Sequence, residues 1–188
     1  MCARVCSVAN CTPLLIQQND GSGGFNRPWA EYKVGFGQPS GNYWLGNDLL
    51  SQLTANYRYK LRFDLQQNST GNWYYAEYSW FRVLSEAHDY TLLVTGYSGN
   101  VRSDVFGSEN GAKFSTIESG NRCAAELEGG FWYRSYRSYQ SCAECRVNAA
   151  RSTGNFYWSG LPERSNWRDR PANEARYLQL SRMWLKCK

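Results

Sequence analysis

The side chains that could do chemistry in this chain are one histidine, 7 cysteines and 16 carboxylates, and their spacing assembles little catalysis. Acid–base or nucleophilic catalysis needs a base placed beside a nucleophile. His88 stands alone in the polar turn Ser85-Glu86-Ala87-His88-Asp89, where a solvated surface residue is expected. Gly96-Tyr97-Ser98-Gly99 lacks the spacing of a nucleophile elbow, and no phosphate loop or H-E-x-x-H motif is present. Cys142-Ala143-Glu144-Cys145 has the C-x-x-C spacing of a zinc or redox pair. Zinc would need two further ligands, and one histidine with distant cysteines supplies them poorly. A structural disulfide from Cys142 to a third cysteine is preferred. No enzyme is expected.

These residues must be positioned by the elements around them. Phe25 to Asp48 packs Trp29, Tyr32, Phe36, Tyr43 and Trp44 among Gly35, Gly37, Gly41 and Gly46. Large rings stand where glycines let the backbone turn sharply or approach other groups closely. Pro28 suits a first helical position, and Tyr32 and Phe36 share a face of a short helix ended by Gly35 and Gly37. Asn47 or Asp48 is expected to cap a second helix that carries Leu49, Leu50 and Leu53 inward and stops near Thr54.

Before this hub, Thr12–Gln18 reads as a strand ending in the turn Asn19-Asp20-Gly21. After it, Tyr57 to Leu65 alternates Tyr57, Tyr59, Leu61, Phe63 and Leu65 with Arg58, Lys60, Arg62 and Asp64, a strand with one wet face. Trp73–Leu84 and Tyr90–Thr95 follow with short connections, so the three strands form an antiparallel meander. From Gly96 to Arg176 periodicity fails among Gly, Ser, Asn and Arg, and a loop-rich lobe is expected. A disulfide, an ion or aromatic plugs must order such a lobe, and loops on a rigid sheet are where binding sites tend to lie. Tyr177–Leu180 and Met183–Leu185 suggest a last strand returning to the sheet.

The 188 residues are enough for one domain with a sizeable core, and aromatics make up 16% of them. Mean hydropathy is −0.63, and no apolar run approaches the roughly 18 residues of a membrane span, so no span is expected. The formal charge is +5, with residues 1–128 at −2 and 129–188 at +7. The arginines of that basic end follow no helical or strand register, which argues against a nucleic-acid face and for a solvated face or acidic partners. The acceptors Asn10-Cys11-Thr12 and Asn68-Ser69-Thr70, with the cysteines, favour an oxidising, extracellular setting. Residues 1–11 contain no apolar run long enough for a secretory signal.

Against this background, WAEYKVGFG (Trp29–Gly37), YWLGND (Tyr43–Asp48), YKLRFDL (Tyr59–Leu65), YAEYSWFRV (Tyr75–Val83), VTGYSGN (Val94–Asn100), KFST (Lys113–Thr116), Cys123 with GGFWY (Gly129–Tyr133) and YLQLSRMWLK (Tyr177–Lys186) resemble the fibrinogen C-terminal domain. Ficolins, tachylectins, angiopoietins and tenascins belong to that family. The resemblance covers residues 13–186 in order. It implies an α+β fold with a twisted antiparallel sheet, short helices and a loop-rich ligand-binding lobe. It divides the chain into a cysteine-containing start (1–11), a core (12–95 with 176–186) and a lobe (96–175). It also implies a secreted, non-enzymatic protein that binds glycans or acetylated ligands, with protein binding in the matrix or to receptors as the alternative. Signal and oligomerising arms would come from an upstream segment.

Three departures bear on the site. The family's opening disulfide-closed segment is missing, so Cys2, Cys6 and Cys11 have no assigned partners, and the start is expected to be truncated. Where the resemblance places a calcium loop, Glu118 stands at the first Asp position and Gly120 at the second, beside Arg122. Calcium takes about 6–8 hard oxygens, several charged, so the site is expected to be lost and no cofactor is implied. The family disulfide maps onto Cys123 and Cys142 after an insertion of roughly six residues, and in the chain-entropy model such a loop contributes about 3 kcal/mol. In acetyl-binding relatives the bond before this cysteine is cis and lines a pocket. The corresponding residues are Ser141 and Cys142, with Ala143 in place of a histidine donor and Leu127 and Tyr133 as further lining.

Overall fold

The computed structural model describes residues 12–56, 59–134, 142, 145–149, 156–162 and 176–188. Strand β1 (Leu14–Asn19) is followed by helix α1 (Trp29–Val34), β2 (Phe36–Gly37), β3 (Tyr43–Trp44) and helix α2 (Asn47–Thr54). Next come β4 (Tyr59–Gln67), β5 (Trp73–Val83) and β6 (Leu92–Gly99). The lobe supplies β7 (Phe114–Ser115), helix α3 (Arg122–Leu127) and β8 (Phe131–Trp132), and β9 (Leu178–Cys187) closes the chain. All but β7 and β8 form one antiparallel sheet in the order β2-β3-β1-β9-β4-β5-β6.

Alternation decides which side of the sheet is the core. Tyr59, Leu61, Phe63 and Leu65 of β4 are buried, while Lys60, Arg62 and Asp64 between them stay part-exposed. β4 pairs with β5 on one side and with β9 on the other, so its backbone ladder is complete. The final strand therefore does more than return to the sheet. It lies between β1 and β4 and joins the hub end to the meander.

Local chemistry adjusts several expectations. Helix α2 has Gly46, not Asn47 or Asp48, at its N-cap. Gly46 has φ 106°, and a Cβ there would lie 2.7 Å from the Val34 carbonyl carbon, so only glycine lets α2 start this close to the end of α1. Asn47 instead accepts from the Trp44 indole at 3.1 Å, and Asp48 from the Tyr90 hydroxyl at 2.5 Å. Leu50 is buried and Leu53 part-buried, but Leu49 points outward, 42% exposed. The third meander strand starts at Leu92, because Asp89 and Tyr90 take left-handed φ of 49° and 46° to finish the preceding turn. Tyr57 and Arg58 lie outside the described residues, and β4 runs on to Gln67.

The core is an aromatic stack between sheet and lobe. Trp132 of β8 is fully buried, with its ring 5.2 Å from Phe114, 6.0 Å from Trp44 and 6.2 Å from Phe106. Its indole donates to the Tyr90 carbonyl at 2.8 Å. Phe63 of β4 meets Phe106 at 4.8 Å and Trp158 at 4.9 Å. Rings from the hub, the sheet and the lobe thus share one interior.

Candidate functional site in the loop-rich lobe

The lobe is tied to the hub by buried polar groups. The Tyr32 hydroxyl donates to the Phe25 carbonyl at 2.6 Å and accepts the Gly130 N–H at 2.9 Å. A Cβ on Gly130 would lie 2.6 Å from the Tyr32 ring, so a side chain there would break this tie. Asn148 donates to the Gly130 carbonyl at 2.7 Å and accepts from Gln17 at 3.1 Å. Asn19 donates to the Val147 and Ala149 carbonyls at 2.8 and 3.0 Å. Side chains of β1 thereby supply the partners that the irregular segment 145–149 cannot find in a ladder.

The sulfurs of Cys123 and Cys142 are bonded, which joins α3 to the segment beyond the aromatic run. Cys145 is a free, fully buried thiol. Burial, and then the nearby Glu109 carboxylate, push its pKa well up, so it stays protonated at neutral pH. A protonated, inaccessible thiol is neither a metal ligand nor a nucleophile. Among the described residues, no three His, Cys, Asp or Glu side chains converge as a metal would require.

Glu118 has different work. Its carboxylate accepts the Trp29 backbone N–H at 2.9 Å, satisfying one of the donors left open at the start of α1. Around it, the Thr116 N–H donates to Ser119 Oγ at 3.1 Å, and Gly120 turns the chain at φ 71°. The Asn121 side chain caps α3 by accepting from Cys123 N at 2.9 Å, and it donates to the Tyr133 carbonyl at 3.3 Å. Arg122 pairs with Glu126. A hard-oxygen cage for calcium does not fit here, because the one carboxylate is a helix cap and Gly120 offers no side chain.

Of the residues assigned to an acetyl pocket, Leu127 and Tyr133 are each 2% exposed and belong to the core. The Tyr133 hydroxyl donates to the Gly129 carbonyl at 2.7 Å, and burial raises its pKa. Ser141, Ala143 and Asn10 lie outside the described residues, so the bond before Cys142 does too. Asn68 is exposed in the turn after β4. His88 is exposed and sits 3.2 Å from Ser85 Oγ.

An open depression of about 440 Å³ lies beside the turn Ile117–Ser119, with Lys113, Ser115, Gly120, Asn121, Tyr133 and Arg134 among its lining. Lys113, 70% exposed at the side chain, reaches Asp89 at 2.7 Å. The Arg134 side chain reaches the Ser108 carbonyl at 3.1 Å. Its backbone N–H donates to the buried Glu109 carboxylate at 2.8 Å, which fixes that wall. Among the described residues, none of its lining is acidic, so it suits a polar or anionic group. Sequence reasoning passed over Asn121, Glu109, Asn148, Gln17 and Asn19. Each is a common polar residue, and all but Asn121, which caps its own helix, depend on a partner far along the chain.

The family model for fibrinogen beta and gamma chains, C-terminal globular domain, matches residues 5–184. Angiopoietin-4 of Bos taurus is 41% identical over 125 residues, 64% of this chain and 25% of the relative. The chain therefore spans about a quarter of the length of the curated relatives it matches. The fibrinogen-like globe domain of human ANGPTL6 superposes with a TM-score of 0.72 at 29% identity, covering 94% of this chain and 78% of that one. A lamprey fibrin D-dimer, complexed with the peptide ligand Gly-His-Arg-Pro-amide, has a TM-score of 0.68 at 25% identity, covering 93% of this chain and 61% of that one.

Proposed function

The chain belongs to the fibrinogen C-terminal domain family, whose modules are not enzymes, and on that premise we propose that it works outside the cell as a protein-recognition module using the lobe depression. The observation that carries this reading is the depression itself. Lys113 and Arg134 stand in its wall, no described lining residue is a carboxylate, and a core-anchored backbone holds it open. The partner feature that fits is an acidic or hydroxyl-rich protein segment. Relatives support a protein partner over a sugar, since they include angiopoietins and a fibrin whose solved structure holds a peptide. The glycan reading is weakened because Leu127, one of its lining residues, packs into the core. Among the described residues, no helix is long and apolar enough to cross a membrane.

Binding of the labelled chain to intact cells tests this. Trypsin treatment of the cells should abolish binding, free N-acetylglucosamine should not compete, and Lys113→Ala with Arg134→Ala should weaken binding roughly tenfold, as for loss of two partly desolvated contacts. Displacement by the free sugar would overturn the protein reading in favour of a lectin. Unchanged binding by the double variant would remove the depression from the contact surface.

A further inference from the structure

The wet face of the sheet carries more positive charge than its own carboxylates answer. On β4, β5 and β9 the outward residues include Lys60, Arg62, Arg182 and Lys186, with only Asp64 and Glu77 among them as acids. Register puts Lys60 directly opposite Lys186, and like charges so placed repel. Glu77 is shared among three cations: Lys186 at 3.5 Å, Lys60 at 3.6 Å and Arg62 at 3.9 Å. Arg62 also holds Asp64 at 2.7 Å. These four cations against two carboxylates leave a surplus of two where the three strands adjoin, and Arg82 of β5 is a fifth part-exposed cation.

Two of these cations are pre-positioned. The Arg62 guanidinium lies 4.4 Å from the centre of the Tyr75 ring, and Arg182 lies 5.6 Å from that of Trp73 while bonding Gln18 at 2.7 Å. A guanidinium laid on a ring keeps edge N–H groups available for a forked contact to an oxyanion. Trp73 itself is 45% exposed at the end of the row.

We propose that this face, the solvent side of β4, β5 and β9, docks a linear sulfated polysaccharide. Three observations select that occupant. The face is built from strands whose backbone groups are used by neighbours on both sides in β4 and β9, so it offers an extended peptide no main-chain pairing. Lys60 and Arg62 stand about 6.6–6.8 Å apart along β4, Lys60 and Lys186 about 4.7–4.9 Å apart across β4 and β9, and Arg182 lies four residues from Lys186, a spread of cations suited to repeated anionic groups rather than a single one. The exposed part of Trp73 adds an apolar surface at the end of the row for a sugar. The site lies away from the lobe depression and does not depend on the protein contact assigned there. Individual exposed ion pairs are weak, so affinity comes from several at once and falls steeply with salt.

The test is titration of the intact chain with a heparin octasaccharide and with an unsulfated heparosan octasaccharide, across a salt series. Wild type should bind the sulfated chain only. Lys60→Ser with Lys186→Ser should weaken that binding roughly tenfold and reduce the slope of log affinity against log salt by about two, as for two lost counterion sites. Lys60→Arg with Lys186→Arg should retain it. The paired Lys113→Ala and Arg134→Ala variant should bind as wild type, and the serine pair should keep the trypsin-sensitive cell binding, so the two sites fail separately. Equal binding of both octasaccharides, no binding by wild type, or wild-type affinity in a serine pair with an unchanged melting curve would each overturn the proposal.

Discussion

In the sheet, β4 and β9 run nine and ten residues and pair along nearly their whole length. Between Val101 and Leu161 the longest described element is the six-residue α3, and the two-stranded β7–β8 ladder holds two residue pairs. The sheet is ordered by backbone hydrogen bonds over an alternating pattern. The lobe is ordered by what reaches into it: Trp132 and Trp158 as plugs, Asn148 and Tyr32 as polar ties, and the Cys123–Cys142 bond. A region without periodicity can therefore have a fully buried interior, provided its backbone partners come from side chains elsewhere.

That comparison can be broken most forcefully at Trp132. Trp132→Ala should cost about 3–5 kcal/mol in urea unfolding, because the ring fills space shared by both regions. A single cooperative transition is expected, and two separated transitions would show that sheet and lobe do not share a core. Cys123→Ser with Cys142→Ser should cost about 3 kcal/mol, with amide exchange accelerating in residues 122–134 before β4 or β9. Uniform acceleration would mean that the bond stabilises the whole chain rather than its lobe.

Tyr32→Phe removes the group between the Phe25 carbonyl and the Gly130 N–H and should cost about 1–3 kcal/mol, since both partners are left buried. Exchange at Gly130 is the sharper readout. Glu118→Ala should cost about 0.5–1 kcal/mol by opening the start of α1. Millimolar calcium should move the wild-type melting temperature by less than about 1 °C, whereas a metal bound only by the native state would raise it.

The smallest effect is at Glu86, where hydrogen bonds from Lys33 and then the Trp29 indole hold the carboxyl below its ordinary range. A depressed folded-state pKa gives stability that is present above the ordinary carboxylate pKa and is lost as pH falls through the lowered value. Acid unfolding of Glu86→Gln should therefore start from a slightly lower stability at neutral pH and converge with wild type in acid.

Much of the fold was legible because its signals are local. The alternation of Tyr59 to Leu65, the turn glycines and the ring-and-glycine hub need only neighbouring residues to be read, and they gave the meander and both opening helices. Leu49 and the cap of α2 were misread for the same reason. Apolar type and a capping residue were weighed without knowing that Gly46 alone lets α2 abut α1, or that Tyr90 and Trp44 would engage Asp48 and Asn47. The candidate site was less legible. Position alone marked Glu118 as the remnant of a lost calcium site and Tyr133 as a pocket lining, but not that Glu118 accepts the Trp29 N–H or that Tyr133 is 2% exposed at the edge of the depression.

Local sequence patterns specify the periodic half of this protein, the family to which it belongs, and the differences from the resemblance at Glu118 and Gly120. Tertiary structure decided what those differences do. Whether a carboxylate binds metal or caps a helix depends on which donor stands within 3 Å, here a backbone N–H 89 residues away. Whether Lys60 and Lys186 form an ordinary wet face or a concentrated cationic one depends on register, which sets them opposite each other across the closing strand. Hydrogen bonds and charge pairs act over a few ångströms, and only the folded chain brings distant residues within that range.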